Sequence, residues 1–236
     1  MELTERTQAF ITARYYVRLK ERFGDRGIAA FRLAVRYYAE QRGRRMAQRA
    51  IADGEPLTYA AYRRYGEWVN TDAIRARGEE NRSETVSISP DFVNYVSQCP
   101  WNTEFREQGM IEAGSVYCSE IDPSLCRGFN PAIQYLAVQS LNDHDICIQK
   151  VVDSGLTAED LKAKKKKDGI KSFNYHCAHS YWSFRKMAAG IFGKEGEEAA
   201  DGVLADTRES WGDEAAAILL KYRQTDFDVN TEELSD

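Results

Sequence analysis

The chain has 236 residues, 43% of them hydrophobic and 29% charged, with a formal net charge of −5. This is ordinary globular composition, long enough to bury a substantial core. The negative net charge argues against nucleic-acid binding, and Tyr15, Tyr16, Tyr37 and Tyr38 hardly suffice as a stacking platform in the Arg-rich first fifty residues. No apolar run reaches membrane-span length and the N-terminus lacks a signal-peptide core, so the expectation is a cytoplasmic protein with no membrane partner.

From Thr7 to Phe23, the residues Phe10, Ala13, Tyr16, Val17 and Leu19 recur at helical spacing, and Gly24-Asp25-Arg26-Gly27 supplies a stop. A second helix is expected over 28–52, with Ala30, Leu33, Ala34 and Tyr37 on one face, and a third over 57–77 behind Pro56. At Glu84 the texture changes to TVSIS and FVNYVSQC, one or two strands closed by Cys99-Pro100-Trp101. Residues 102–125 read as mainly helical, with Pro123 marking a boundary nearby. IQYLAVQSL and DICIQKVV then flank Asn142-Asp143-His144 as an antiparallel hairpin with His144 at or beside its tip. Thr157 to Asp160 form a capping box, and Lys164 to Lys167 a solvated helix end. Helices over 172–192 and about 195–223 follow, before a polar tail expected to fray.

These elements make one α+β domain over 1–236, with helices packed around a small antiparallel sheet. Its parts are a helical region (1–80), a sheet and active-site region (84–193), C-terminal helices (195–224) and a tail (225–236). No internal repeat is visible. The basic first fifty residues and the acidic stretch 195–236 are expected to pack together or to face water.

All three histidines, His144, His176 and His179, and four of five cysteines, Cys118, Cys126, Cys147 and Cys177, fall between 118 and 179. Thiol and imidazole are the side chains best able to attack carbon or move a proton near neutral pH. On a helix, His176 and His179 share a face, as do Cys118 and Asp122. Cys118 needs a histidine from elsewhere in the fold, since a carboxylate works better by orienting that histidine than by touching sulfur. An odd number of cysteines does not make a disulfide framework, and each of Cys126, Cys147 and Cys177 reads as core. No phosphate cradle, nucleophile elbow or dinucleotide fingerprint is present.

The order of these elements resembles the family of L-2-amino-thiazoline-4-carboxylic acid hydrolases. The similar features are the Arg- and Tyr-rich N-terminus with its glycine break, Cys99-Pro100, the block YCSEIDPSLCRGFNP (Tyr117 to Pro131), the hairpin ending in Cys147, and NYHCAHSYW (Asn174 to Trp182). Where members carry Gly-Asp before the hairpin cysteine, this chain has Asp143-His144. The strand-turn-strand with its late cysteine is also similar to small-molecule-sensing domains related to vinyl reductases, a likeness of fold only.

The resemblance implies ring opening of a small cyclic amidine or amide such as a thiazoline carboxylate, by hydrolysis of a C–N or C–S bond. In the preferred mechanism the Cys118 thiolate attacks the ring carbon, His176 or His179 shuttles protons, and Asp122 orients the imidazole. Asn130 or backbone N–H groups would stabilise developing charge, and Tyr117 and His144 complete the substrate-binding set. No cofactor is required. The alternatives are Zn2+ or Mn2+ held by His144, His176 and His179, or by two of them with Asp122 or Cys118, and a non-catalytic sensor holding a small ligand. A small heterocyclic substrate is the expected partner, and a homo-oligomer is compatible with the sequence.

Overall fold

A computed structural model describes residues 2–231. Nine α-helices and a small antiparallel sheet are present among them, the α+β class expected. α1 (Glu5–Phe23) and α2 (Asp25–Ala52) form one helical hairpin, and α8 (Phe173–Phe192) and α9 (Lys194–Lys221) form another. Both corners carry the same short motif, Phe-Gly-x-x-Gly, at Phe23-Gly24-Asp25-Arg26-Gly27 and Phe192-Gly193-Lys194-Glu195-Gly196. Gly24 and Gly193 turn the chain at φ 58° and 59°, a region open to glycine at little cost. A Cβ at Gly27 would lie 1.9 Å from the Leu19 carbonyl oxygen, and one at Gly196 would lie 2.1 Å from that of Ala188. Phe23 and Phe192 stack at 3.7 Å across the two corners. The sequence thus does repeat, but over five residues, too few to stand out without the matching corners.

The buried stripe of α2 is Phe31, Ala34, Val35 and Tyr38, while Leu33 is 44% exposed. The face is rotated from the one expected because the larger rings of Phe31 and Tyr38 take the core. The region expected as one helix over 57–77 is two short ones, α3 (Tyr59–Arg64) and α4 (Asp72–Ala76). Between them Glu67 turns inward to buried arginines, and Thr71 caps α4 while its amide and hydroxyl donate to the Glu5 carboxylate. Tertiary ion pairing here overrides helical periodicity.

β1 (Arg82–Ser87) and β2 (Phe92–Gln98) are followed by α5 (Pro100–Glu107), with Pro100 in its first turn. α6 (Ile111–Phe129) is separated from α5 by Gly109 at φ 65° and runs straight through Pro123, contrary to the boundary expected there. Close packing on α2 offsets the missing backbone donor: a Cβ at Gly43 would meet the Leu125 carbonyl oxygen at 2.1 Å. β3 (Tyr135–Gln139) and β4 (Cys147–Val151) form the expected hairpin, giving sheet order β1-β2-β4-β3, antiparallel throughout. Cys147 pairs with Val96, and Gln149 lies between Asn94 and Ala137. α7 (Ala158–Lys162) begins with the expected capping box at Thr157.

The two charged ends pack together. Arg14 and Arg18 of α1 hold Asp206 of α9, and Arg44 donates to Asp228 at 2.6 Å. The tail departs from expectation as far as it is described. Phe227 is buried and stacks on His179 at 4.5 Å, and its carbonyl accepts a hydrogen bond from Arg45. The tail expectation over 232–236 lies outside the described residues. No helix among the described residues is long and apolar enough to cross a membrane.

Candidate active site

α6 lies beneath one face of the sheet, and between them is a cavity of about 140 Å³. Roughly 150 Å³ suffices for a benzene ring, so the space fits a single small heterocycle. Cys118 and Asp122, one helical turn apart on α6, line it together with Tyr117 and Ile121. Strand alternation brings Cys147 and Gln149 of β4 to the same cavity face, opposite the helix. Cys99, Trp101 and Asn102 close one end, and Arg42 of α2 enters from the helical side.

The polar groups are ordered by hydrogen bonds. The Asn142 amide donates to the Cys118 sulfur at 3.3 Å and accepts from the Asn102 amide at 3.0 Å. Gln149 Nε2 donates to an Asp122 oxygen at 3.1 Å. A Cβ at Gly114 would sit 2.4 Å from Asn142 Oδ1, so only glycine at 114 lets the hairpin tip come down onto α6. Trp101 Nε1 donates to Gln8 Oε1, and Gln8 Nε2 and Arg42 Nη1 both donate to the Tyr38 hydroxyl.

Burial pushes the Cys118 thiol well above its ordinary range, reinforced by Cys99, Asp122 and Cys147. Burial likewise raises the Asp122 carboxyl, opposed by Arg42 and by the Gln149 hydrogen bond. The Cys147 thiol is pushed up to about 12, by burial and then by Asp122. The resting cavity therefore holds protonated thiols beside a carboxyl that takes up a proton more readily than usual.

The histidines are elsewhere. His176 is buried, with Nε2 3.2 Å from the Glu67 carbonyl oxygen, and burial reinforced by Arg42 holds it down at about 3. His179 Nε2 lies 3.0 Å from Gln41 Oε1, and burial, then Arg45 and Arg42, hold it well below its ordinary value. Both imidazoles are neutral core groups, and neither lines the cavity. The expected dyad of Cys118 with His176 or His179 is thus not assembled. Their shared helical face is real, but it turns toward α2 and Glu67. His144 is exposed beside Asp143 at the hairpin tip, apart from the buried pair, so the alternative three-histidine ligand set does not converge either. Among the described residues, no group of three or more His, Cys, Asp or Glu could hold a metal ion. Asn130 also lies outside the cavity. Its Nδ2 donates to the Leu57 carbonyl at 2.7 Å, and its Oδ1 accepts from the Ala132 amide, fixing the end of α6.

Of the site residues expected from sequence, the cavity gathers Cys118, Asp122 and Tyr117, and Cys147, expected in the core, lines it as well because it faces α6 from β4. Sequence reasoning missed Arg42, Asn142 and Gln149. Alternation along CIQKV puts Cys147 and Gln149 on one face, a signal that was available; nothing local marks Arg42.

A family model described as L-2-amino-thiazoline-4-carboxylic acid hydrolase matches residues 4–141, more than half of the chain. The chain belongs to this family. The matched region carries Arg42, Cys99, Cys118 and Asp122, and ends just before Asn142 and β4. The name of the thiazoline carboxylate hydrolase family implies hydrolase activity. No curated protein and no solved structure was found to match the chain.

Proposed function

We propose that this member of the family opens the ring of a small cyclic amidine carboxylate, breaking a C–N or C–S bond, with Cys118 as nucleophile and Asp122 as the proton-transfer group. The observation that carries the reading is the pair itself: thiol and carboxyl one turn apart on α6, both on the wall of a cavity sized for one ring.

The carboxylate of Asp122 takes the Cys118 proton as sulfur adds to the ring carbon between the heteroatoms, and the C=N electron pair moves onto nitrogen. The raised proton affinity of both groups makes the transfer concurrent with attack, because a free thiolate is disfavoured there. The Asn142 amide stays on the sulfur as charge develops. Collapse of the adduct breaks a ring bond to carbon, and Asp122 returns the proton to the departing ring nitrogen or sulfur. Water, deprotonated in turn by Asp122, adds to the same carbon and expels the Cys118 sulfur, which regains its proton. The net change is addition of one water.

The test is turnover of 2-amino-thiazoline-4-carboxylate by folded variants. Cys118→Ser is expected to fall to background and Asp122→Asn to lose roughly 10²–10⁴-fold. A normally folded Cys118→Ser protein that retains wild-type turnover would remove this mechanism.

A further inference from the structure

We infer that Arg42 is the carboxylate anchor of the cavity, so that the site selects small heterocycles bearing a carboxylate on the ring. The inference rests on the proposed function for the identity of the ring; its own basis is a buried, under-partnered cation. Arg42, Arg45 and Arg49 project from one face of α2 toward a single carboxylate, Glu67. Arg45 holds that carboxylate through two bonds, at 3.1 and 2.7 Å, and Arg49 holds it at 3.0 Å. Arg42 is left at 3.9 Å, too far for a hydrogen bond. Its side chain is only 6% exposed. Nε has no hydrogen-bond partner among the described residues, and Nη1 reaches only the Tyr38 hydroxyl at 3.3 Å.

A buried guanidinium without its own anion is costly, and a planar fork matches a carboxylate better than any other small anionic group of a heterocycle. Arg42 is also the only Arg or Lys lining the cavity among the described residues. Asp122 is the only acidic side chain among those lining residues, so the cavity wall carries one cationic and one acidic group. A ring with a carboxylate on one side and a basic amidine on the other satisfies both.

The test uses two ligands with no amidine to hydrolyse, thiazolidine-4-carboxylate and its neutral 4-carboxamide, with binding measured by calorimetry. Wild-type protein is expected to bind the carboxylate roughly tenfold or more tighter than the carboxamide. Arg42→Gln should erase that preference, and Arg42→Lys, which keeps charge but loses the fork, should restore it only in part. Glu67 remains paired to Arg45 and Arg49 in both variants, which favours folding, and Arg42→Lys supplies the comparison if Arg42→Gln is unstable. A carboxylate preference that survives removal of Arg42, or no carboxylate preference in the wild type, overturns the inference. An Arg42-dependent preference without turnover of 2-amino-thiazoline-4-carboxylate would overturn the proposed hydrolysis alone. Turnover whose KM ignores Arg42→Gln would overturn this inference alone.

Discussion

Replacing Glu67 by glutamine isolates the charge balance behind the cavity. Glu67 is fully buried and is the shared acceptor of Arg45 and Arg49. Burial alone would push its carboxyl up, but Arg45, joined by Arg49 and Arg42, outweighs that and holds it at about 2, against an ordinary value of 4.5. At 1.36 kcal/mol per pKa unit this difference is worth about 3 kcal/mol, within the roughly 3–5 kcal/mol that follows removal of one partner from a buried pair. Glu67→Gln should therefore lose about 3 kcal/mol at pH 7, or roughly 6–12 °C in Tm for a chain of this size. The sign follows from a depressed carboxyl. Its stabilisation is complete above the unfolded value of 4.5 and disappears as pH falls from there toward about 2. Urea denaturation of both proteins across pH 7 to 3 measures the gap, which should be constant above pH 5.5 and narrow below 4.5. A gap under about 1 kcal/mol at pH 7, or one that does not narrow in acid, would refute this electrostatic picture.

Other perturbations reach the site by different routes. Because His176 is held at about 3, the folded state resists protonation that the unfolded chain accepts below 6.5, so stability falls as pH drops from 6.5 toward 3. His176→Gln should flatten the upper part of that decline in pH-dependent denaturation, and its turnover at pH 7.5 should stay near wild type because the imidazole does not line the cavity. Gly114→Ala places a Cβ against Asn142 and Phe105, so it should cost roughly 1–3 kcal/mol in denaturation and lower kcat by lifting the amide from Cys118. Gln149→Leu removes a hydrogen bond that opposes the upward shift of Asp122. The acidic limb of its kcat/KM profile should therefore move to higher pH, since a more basic carboxylate is lost to protonation earlier as pH falls.

The hairpin β3–β4, the Thr157 box and the long helices were legible because hydrophobic period and turn chemistry are local. The site was legible where it too is local: Cys118 and Asp122 are four apart on one helix, and their facing follows from spacing alone. His176 and His179 also share a face, but spacing cannot say what that face meets. It meets Arg45, Gln41 and the Glu67 carbonyl, a buried polar layer assembled from residues far apart in sequence. The same layer breaks the helix expected over 57–77 and draws Phe227 out of a tail that reads as polar. Arg42 escaped notice because an arginine on a basic helix looks solvated until the helix is seen to be surrounded.

The central claim is that the Cys118 sulfur forms a bond to the ring carbon. Rapid acid quench of wild-type protein with 2-amino-thiazoline-4-carboxylate, followed by intact-protein and peptide mass spectrometry, tests it most directly. The expected result is a transient adduct of one substrate mass on the peptide carrying Cys118, absent in Cys118→Ala and longer-lived in Asp122→Asn. Turnover with no adduct at any quench time, together with an active, normally folded Cys118→Ala protein, would contradict it.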